Sequence, residues 1–404
     1  MVELADIIQA RENVKGFVHR TALRKSTTFS RLTDGEVHLK LENQQRTGSF
    51  KIRGALNKMK SLSREEAERG VIAASAGNHA QGVALAATSL GIRSTICMPK
   101  SAPFAKVEAT RGYGATVVQH GRDYNEAFER ALELQEDEGF TFVHAFDDAA
   151  IIAGQGTVGL EIHEQLPDVD TVVVAVGGGG LISGVATALK ALKPDVRVIG
   201  VETEGAASAH ASRAAGRVVR LESLDTIADG IATKSIGKLT FGLIEQYVDD
   251  LVLVSDSAVS HAILMLLERS KTVVEGAGAV ALAALLSGKV DVKGKKAVAV
   301  VSGGNIDMDF LGQIIRRGLM EEGRILRFTS VIPDKPGALK GLLDAIAGLN
   351  GNIITVQHDR DIVTLPLNKT LVDIEIETRG QKHLEELVHA IEAAGYAVEI
   401  QVGA

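Results

Sequence analysis

The chain reads as an α/β protein in two parts. Doubly wound parallel sheets are expected up to about residue 320, followed by a compact βαββαβ unit. Three observations carry this. Continuous β-branched runs such as Thr171–Val176 alternate with helix-length stretches, and such runs are strands covered on both faces. Several of the runs end in glycine-rich turns that open helices, the habit of open α/β sheets. After Glu321-Glu322-Gly323-Arg324 the order becomes strand, helix, strand, strand, helix, strand, a ferredoxin-like arrangement.

Val71–Ala74 is the first clear strand, followed by a glycine turn and a helix from about Ala80 to Leu90. Ser94–Met98 and Ala115–Val118 are further strands, and the spacing of Phe128, Leu132 and Leu134 predicts a helix over Asn125–Glu138. Thr171–Val176, Val196–Val201 and Ala297–Val301 complete the parallel set. In the last part, strands are expected at 325–332, 352–358, 370–377 and 397–401, with helices at 338–349 and 381–394. The domain boundary falls near Arg324, giving domains 1–320 and 325–404, and residues 359–369 form a loop.

With 404 residues, 45% hydrophobic and 24% charged, and a net charge of −7, the composition is that of a globular chain long enough for two or three domains. Mild acidity, no basic block and no tryptophan argue against nucleic acid or an anionic membrane as partner. The single cysteine, Cys97, excludes an internal disulfide and a cysteine zinc site, and reads as a packed strand residue. The first ten residues carry Glu3 and Asp6 and lack a secretory pattern, and no apolar run approaches the ~18 residues of a membrane span. A cytoplasmic protein is expected.

Four segments carry chemistry. In Thr47-Gly48-Ser49-Phe50-Lys51-Ile52-Arg53-Gly54, a lysine is hemmed in by Phe50 and Ile52. Loss of hydration there lowers an amine's pKa and frees it for Schiff-base chemistry. Gly177-Gly178-Gly179-Gly180 joins a buried strand to a helix and points backbone N–H groups at an anion. No lysine-serine/threonine pair follows, so it is no P-loop, and its spacing suits one phosphate better than a dinucleotide. Ser75-Ala76-Gly77-Asn78-His79 lies at another strand-to-helix junction and suits a carboxylate, with His79 read as a positioning residue. Ser302-Gly303-Gly304-Asn305 follows a buried strand, where Ser302 either meets a ring nitrogen or caps a helix. A lysine for an aldehyde, a glycine loop for a phosphate and polar groups for a ring together describe pyridoxal 5′-phosphate.

These segments, with Ala228-Asp229-Gly230-Ile231 and Val274-Glu275-Gly276-Ala277-Gly278-Ala279, resemble the serine/threonine dehydratases of the tryptophan-synthase-β fold type, pyridoxal-phosphate fold type II. The resemblance spans about residues 5–320 and is closest to threonine dehydratases that carry one carboxy-terminal ACT domain. It implies two doubly wound subdomains, the smaller (about 50–147) inserted in the larger. It implies that Lys51 carries the cofactor and moves the α-proton, that Phe50 packs by the ring, and that Gly177, Gly178, Gly179, Gly180 and Leu181 hold the phosphate. Asn78 would touch the ring 3′-oxygen, Ser302 would face the ring nitrogen, and Ser75 with Asn78 would hold the substrate carboxylate. The implied reaction converts L-threonine to 2-oxobutanoate and ammonia, and L-serine to pyruvate.

Two departures bear on the reaction. Serine racemases of this type have a second serine where Ala76 stands, so racemisation is disfavoured. A divalent cation bound by some relatives would need an aspartate where Ser208 follows Glu202, so no metal is assigned. For residues 325–404 the ACT-like pattern implies amino-acid regulation, by isoleucine or valine, at Gly337, Ala338, Leu339 and Asn352, in a homodimer or homotetramer. Two other readings stay open: a dehydratase for serine or 3-hydroxyaspartate, and a non-catalytic amino-acid-sensing scaffold.

Overall fold

The computed structural model describes residues 2–401, and the chain divides into two compact units on either side of Ile306 and Asp307. The first unit contains two sheets. The larger has six strands in the spatial order Leu23–Lys25, Glu36–Leu41, Lys296–Val301, Thr171–Ala175, Arg197–Thr203, Asp250–Val254, all parallel except the first pair. The smaller is wholly parallel, in the order Thr116–Gln119, Ser94–Met98, Val71–Ala74, Thr141–Phe142. The chain leaves the large sheet after Leu41, builds the small one and returns at Thr171.

Strands Leu23–Lys25, Glu36–Leu41 and Asp250–Val254 are absent from the sequence reading. Glu36–Leu41 is masked by His38 and Lys40, and Lys40 is fully buried here because the fold supplies it with an acid.

Helices Lys51–Lys60, Ala149–Gln165 and Gly180–Leu192 pack in a row, and glycine lets them approach closely. A Cβ on Gly154 would lie 2.6 Å from the Gly54 Cα, and one on Gly184 would lie 2.5 Å from the Gly156 nitrogen. Gly54 thus has a packing reason: its helix carries Lys51 and must sit hard against Ala149–Gln165.

The same contact is held by a buried charge cluster. Arg53 donates to both oxygens of Glu42 at 2.7 and 2.8 Å and to both of Glu161 at 2.7 and 3.0 Å. Lys40 donates to Glu161 at 2.5 Å and to the Thr21 carbonyl at 2.8 Å. Burial alone would raise the Glu42 carboxyl, but the Arg53 and Lys40 charges bring it below its usual range. Two cations thus balance two anions in the interior.

The second unit is a four-stranded antiparallel sheet in the order Asn352–Asp359, Lys369–Glu377, Ile325–Pro333, Glu399–Ile400. Helices Ala338–Gly348 and Gln381–Ala393 close its core around Phe328, Leu342, Ile374 and Leu387. The expected boundary near Arg324 lies after helix Met308–Glu321, whereas the units divide before it. Arg316 of that helix pairs with Glu375 of an inner strand, which ties the helix to this sheet. No helix among the described residues is long and apolar enough to cross a membrane.

Replacing Arg53 with methionine keeps the length of the side chain but leaves Glu42 buried without its guanidinium. Loss of about 3–5 kcal/mol is expected, read as an earlier urea unfolding midpoint. A midpoint within experimental scatter of wild type would show that the cluster contributes no stability.

Candidate active site

Parallel strands bring their carboxyl ends, and the helices that follow, to one edge. Three such junctions and the start of helix Lys51–Lys60 line a single cavity of about 620 Å³. Phe50 and Lys51 form one wall. Ser75 and Asn78 come from the small-sheet junction, Gly177 to Leu181 from the large-sheet junction, and Ser302 from the end of Lys296–Val301. All the residues expected to bind cofactor or substrate are therefore brought together.

The glycine loop is the most telling part. Residues 177–182 are buried, yet none of their backbone N–H groups finds an acceptor among the described residues. Buried N–H groups are seldom left unpaired, and these open helix Gly180–Leu192, whose dipole adds positive potential. Gly179 has φ +91°, in the left-handed region. The loop is held from behind: the Thr240 hydroxyl donates to the Gly178 carbonyl at 2.8 Å. A Cβ on Gly178 would lie 2.2 Å from the Phe146 ring, so packing demands glycine there as well. A second set of free N–H groups, Asn78 to Ala80, opens helix Asn78–Ser89.

Lys51 is the first residue of its helix, and its Nζ donates to the Ala145 carbonyl at 3.0 Å. The Phe50 ring centre is 5.3 Å from Nζ. Burial lowers the Lys51 amine to about 8, against the opposing pull of Glu275. His79 is buried and pushed down to about 3, chiefly by burial and then by the Lys51 charge. Its Nε2 lies 2.9 Å from the Val143 carbonyl, which can only accept, so Nε2 carries the proton. His79 is thus a neutral residue that positions its helix, as the sequence reading had it.

Asn78 donates to Glu275 at 2.6 Å and accepts from Asn305 at 2.7 Å. Ser75 accepts from the Gly77 N–H at 3.2 Å, and the Ser302 hydroxyl lies 3.1 Å from the Ala277 carbonyl. Sequence reasoning assigned no role to Glu275, Asn305, Ala145 or Lys106, all at or in this cavity. Glu275 lay inside a quoted motif, but nothing in its spacing revealed Asn78 as its partner.

Glu202 is fully buried. Its oxygens accept the Ala209 and His210 N–H groups at 2.8 Å each, and burial pushes it up to about 7 against those bonds. The start of helix Ser208–Ala215 thus meets the Glu202 carboxyl, and the described residues include no cluster of three or more acids, histidines or cysteines able to hold a metal ion.

In the second unit a separate cavity is lined by Asp334, Lys335, Gly337, Leu339, His358 and Arg360. Gly337 and Leu339 fall in it, and Ala338 is the buried first residue of the adjoining helix. Asn352 does not join them. It opens the strand that His358 nearly ends, about 20 Å away along an extended chain, and it donates to Glu377 at 2.9 Å.

Residues 14–303 match the family described as pyridoxal-phosphate dependent enzyme, and the chain belongs to that family. The L-threonine ammonia-lyase of Thermotoga maritima is 52% identical over 400 residues, 99% of this chain and 100% of that one. The processed form of threonine deaminase isoform 2 from Solanum lycopersicum has the same fold, with TM-score 0.74 and 41% identity over 78% of this chain and 91% of that one. Maize serine racemase gives TM-score 0.75 and 37% identity over 80% and 99%. The fold is the type II arrangement of pyridoxal-phosphate enzymes, and the cavity suits the cofactor: an amine of lowered pKa for its aldehyde, and a row of unpaired N–H groups for its phosphate.

In cofactor-free protein, Lys51 should react with an amine reagent such as trinitrobenzenesulfonate with a half-point near pH 8, not near 10.5. Lys51→Ala should lose one amine with that half-point, over and above the amino terminus, which titrates in the same range; an unchanged number of fast-reacting amines would mean that the lowered pKa belongs elsewhere.

Proposed function

We propose that the chain is a threonine ammonia-lyase, which eliminates water from L-threonine and leaves an enamine whose hydrolysis, taking up one water, gives 2-oxobutanoate and ammonia; it treats L-serine likewise to give pyruvate. The observation that carries this is the meeting, in one cavity, of the Lys51 amine with the unpaired N–H groups of residues 177–182. The relatedness to L-threonine ammonia-lyase along nearly the whole chain supports the same reading.

Pyridoxal phosphate, when bound, supplies the electron sink that makes the α-proton of an amino acid acidic. Lys51 holds the cofactor aldehyde and then moves the α-proton; with a pKa of about 8, a useful fraction of its amine is neutral near pH 7. Residues 177–181 hold the phosphate. Ser75, Asn78 and the N–H groups opening helix Asn78–Ser89 hold the substrate carboxylate, and one Asn78 N–H meets the ring 3′-oxygen. Ser302, a neutral hydroxyl rather than a carboxylate, would face the ring nitrogen. Ala76 offers no second acid or base, which favours elimination over racemisation.

A 3-hydroxyaspartate dehydratase needs a cation for the side-chain carboxylate. Lys106, Arg220 and Lys234 line the cavity, and Asp229 lies 3.8 Å from the Lys106 amine, so the preference for threonine rests on the relatedness to L-threonine ammonia-lyase.

The second unit is read as an ACT-type regulatory domain. Its cavity combines the helix start at Gly337 with Lys335, His358 and Arg360, a seat for an amino-acid carboxylate. Strand Asn352–Asp359 is paired on one side only and exposes Ile354 and Val356, which favours association with a second copy.

The test is keto-acid release. Threonine should be turned over faster than serine or 3-hydroxyaspartate, and Lys51→Ala should lose at least about 10³-fold in rate. Turnover of 3-hydroxyaspartate alone would replace the threonine reading. Isoleucine or valine should change the threonine rate, and Arg360→Ala should weaken that response while leaving the uninhibited rate in place. A rate indifferent to both amino acids would remove the regulatory reading.

A further inference from the structure

The Asn78 amide is held in one orientation by a relay that starts at a main-chain carbonyl. Asn305 Nδ2 lies 2.7 Å from the Thr47 carbonyl and 2.7 Å from Asn78 Oδ1. A carbonyl only accepts, so the Asn305 nitrogen must face Thr47 and uses its two hydrogens on these two oxygens. Asn78 must then turn its oxygen to Asn305 and its nitrogen to Glu275, where Nδ2 and Oε1 are 2.6 Å apart. An ionised carboxylate likewise only accepts. Turning the Asn78 amide over would set nitrogen against nitrogen at one end and oxygen against oxygen at the other.

The backbone is shaped around this relay. A Cβ on Gly303 would come within 2.1 Å of Glu275 Oε1, and one on Gly48 within 2.4 Å of Asn305 Oδ1. Glu275 precedes helix Gly276–Leu286, yet its side chain makes no capping bond and reaches Asn78 instead. Burial raises the Glu275 carboxyl, opposed in part by the Asn78 bond and by the Lys106 and Lys51 charges; the Thr47–Asn305 end fixes the orientation of the Asn78 amide in either protonation state of Glu275. One hydrogen of Asn78 Nδ2 is thereby spent on Glu275, and the other has no protein acceptor among the described residues.

We propose that Glu275 and Asn305 are positioning residues that turn the Asn78 amide nitrogen-inward and keep its second N–H free for the ring oxygen of the cofactor. The proposal rests on the role given to Asn78 above.

The test reconstitutes cofactor-free protein with pyridoxal 5′-phosphate. It reads the Kd and the position of the bound cofactor's visible band, which responds to the bonding of its ring oxygen. Glu275→Gln still offers an amide oxygen to Asn78 and should keep Kd within about twofold and the band in place, since the acceptor and not the charge is what matters. Glu275→Leu keeps the volume without an acceptor, and Asn305→Ala removes the other end. Each should weaken binding about tenfold and shift the band in the same direction. Either variant suffices should the other not fold. Added to Asn78→Ala, neither should cause further loss, because the residue it positions is already gone. Glu275→Gln behaving like Glu275→Leu, or full additivity with Asn78→Ala, would overturn the relay while leaving the Asn78 role intact. Asn78→Ala binding as wild type does would overturn both.

Discussion

Arg53 is the side chain on which the arrangement of the first unit turns. It grips Glu42, just beyond a strand of the large sheet, and Glu161, on the helix by which the chain returns from the small sheet. Its own helix begins with Lys51, two residues away. One guanidinium therefore joins the exit from the large sheet, the lysine-bearing helix and the return path. Arginine suits this place because its planar fork can grip both oxygens of two carboxylates at once, which the three donors of an ammonium cannot do. The desolvation cost of burying four charges is large, so the cluster is better regarded as fixing geometry than as a source of net stability.

With that clamp in place, the electrostatics of the cavity follow from topology. Parallel strands deliver helix starts to one edge, and two of them present unpaired N–H groups to the same space. The site thus presents main-chain N–H groups to two anions. The amine that faces them is kept partly neutral by burial. A fully charged ammonium would neither react with an aldehyde nor take a proton. Glycine serves two ends here: it admits a ligand to the backbone, and it lets Phe146 and Ile231 close the loop from behind.

The polar groups of the cavity act through one another rather than singly. Asn78 is oriented by Glu275 and Asn305, and the Gly178 carbonyl is held by Thr240. Glu202 shows the same economy, its carboxyl oxygens met by the N–H groups of a helix start.

The sequence by itself determined the fold class, most strand positions and the four segments that meet at the cavity. Those properties are local: a β-branched run must be buried, four consecutive glycines must follow a strand for a reason, and a lysine between apolar neighbours is unusual. Strand Glu36–Leu41 was illegible because its lysine is interior only once Glu161 is beside it, 121 residues away. Helix Met308–Glu321 could not be assigned to its unit without the Arg316–Glu375 pair. Glu275, Asn305 and Lys106 gained meaning only from the tertiary structure, because hydrogen bonds and charge pairs between distant segments leave no periodicity in the chain. Asn352, placed with Gly337 by pattern, was separated from it by the length of a strand. Burial and local turn chemistry are written along the sequence, whereas which charge meets which, and which amide faces which way, is decided by packing.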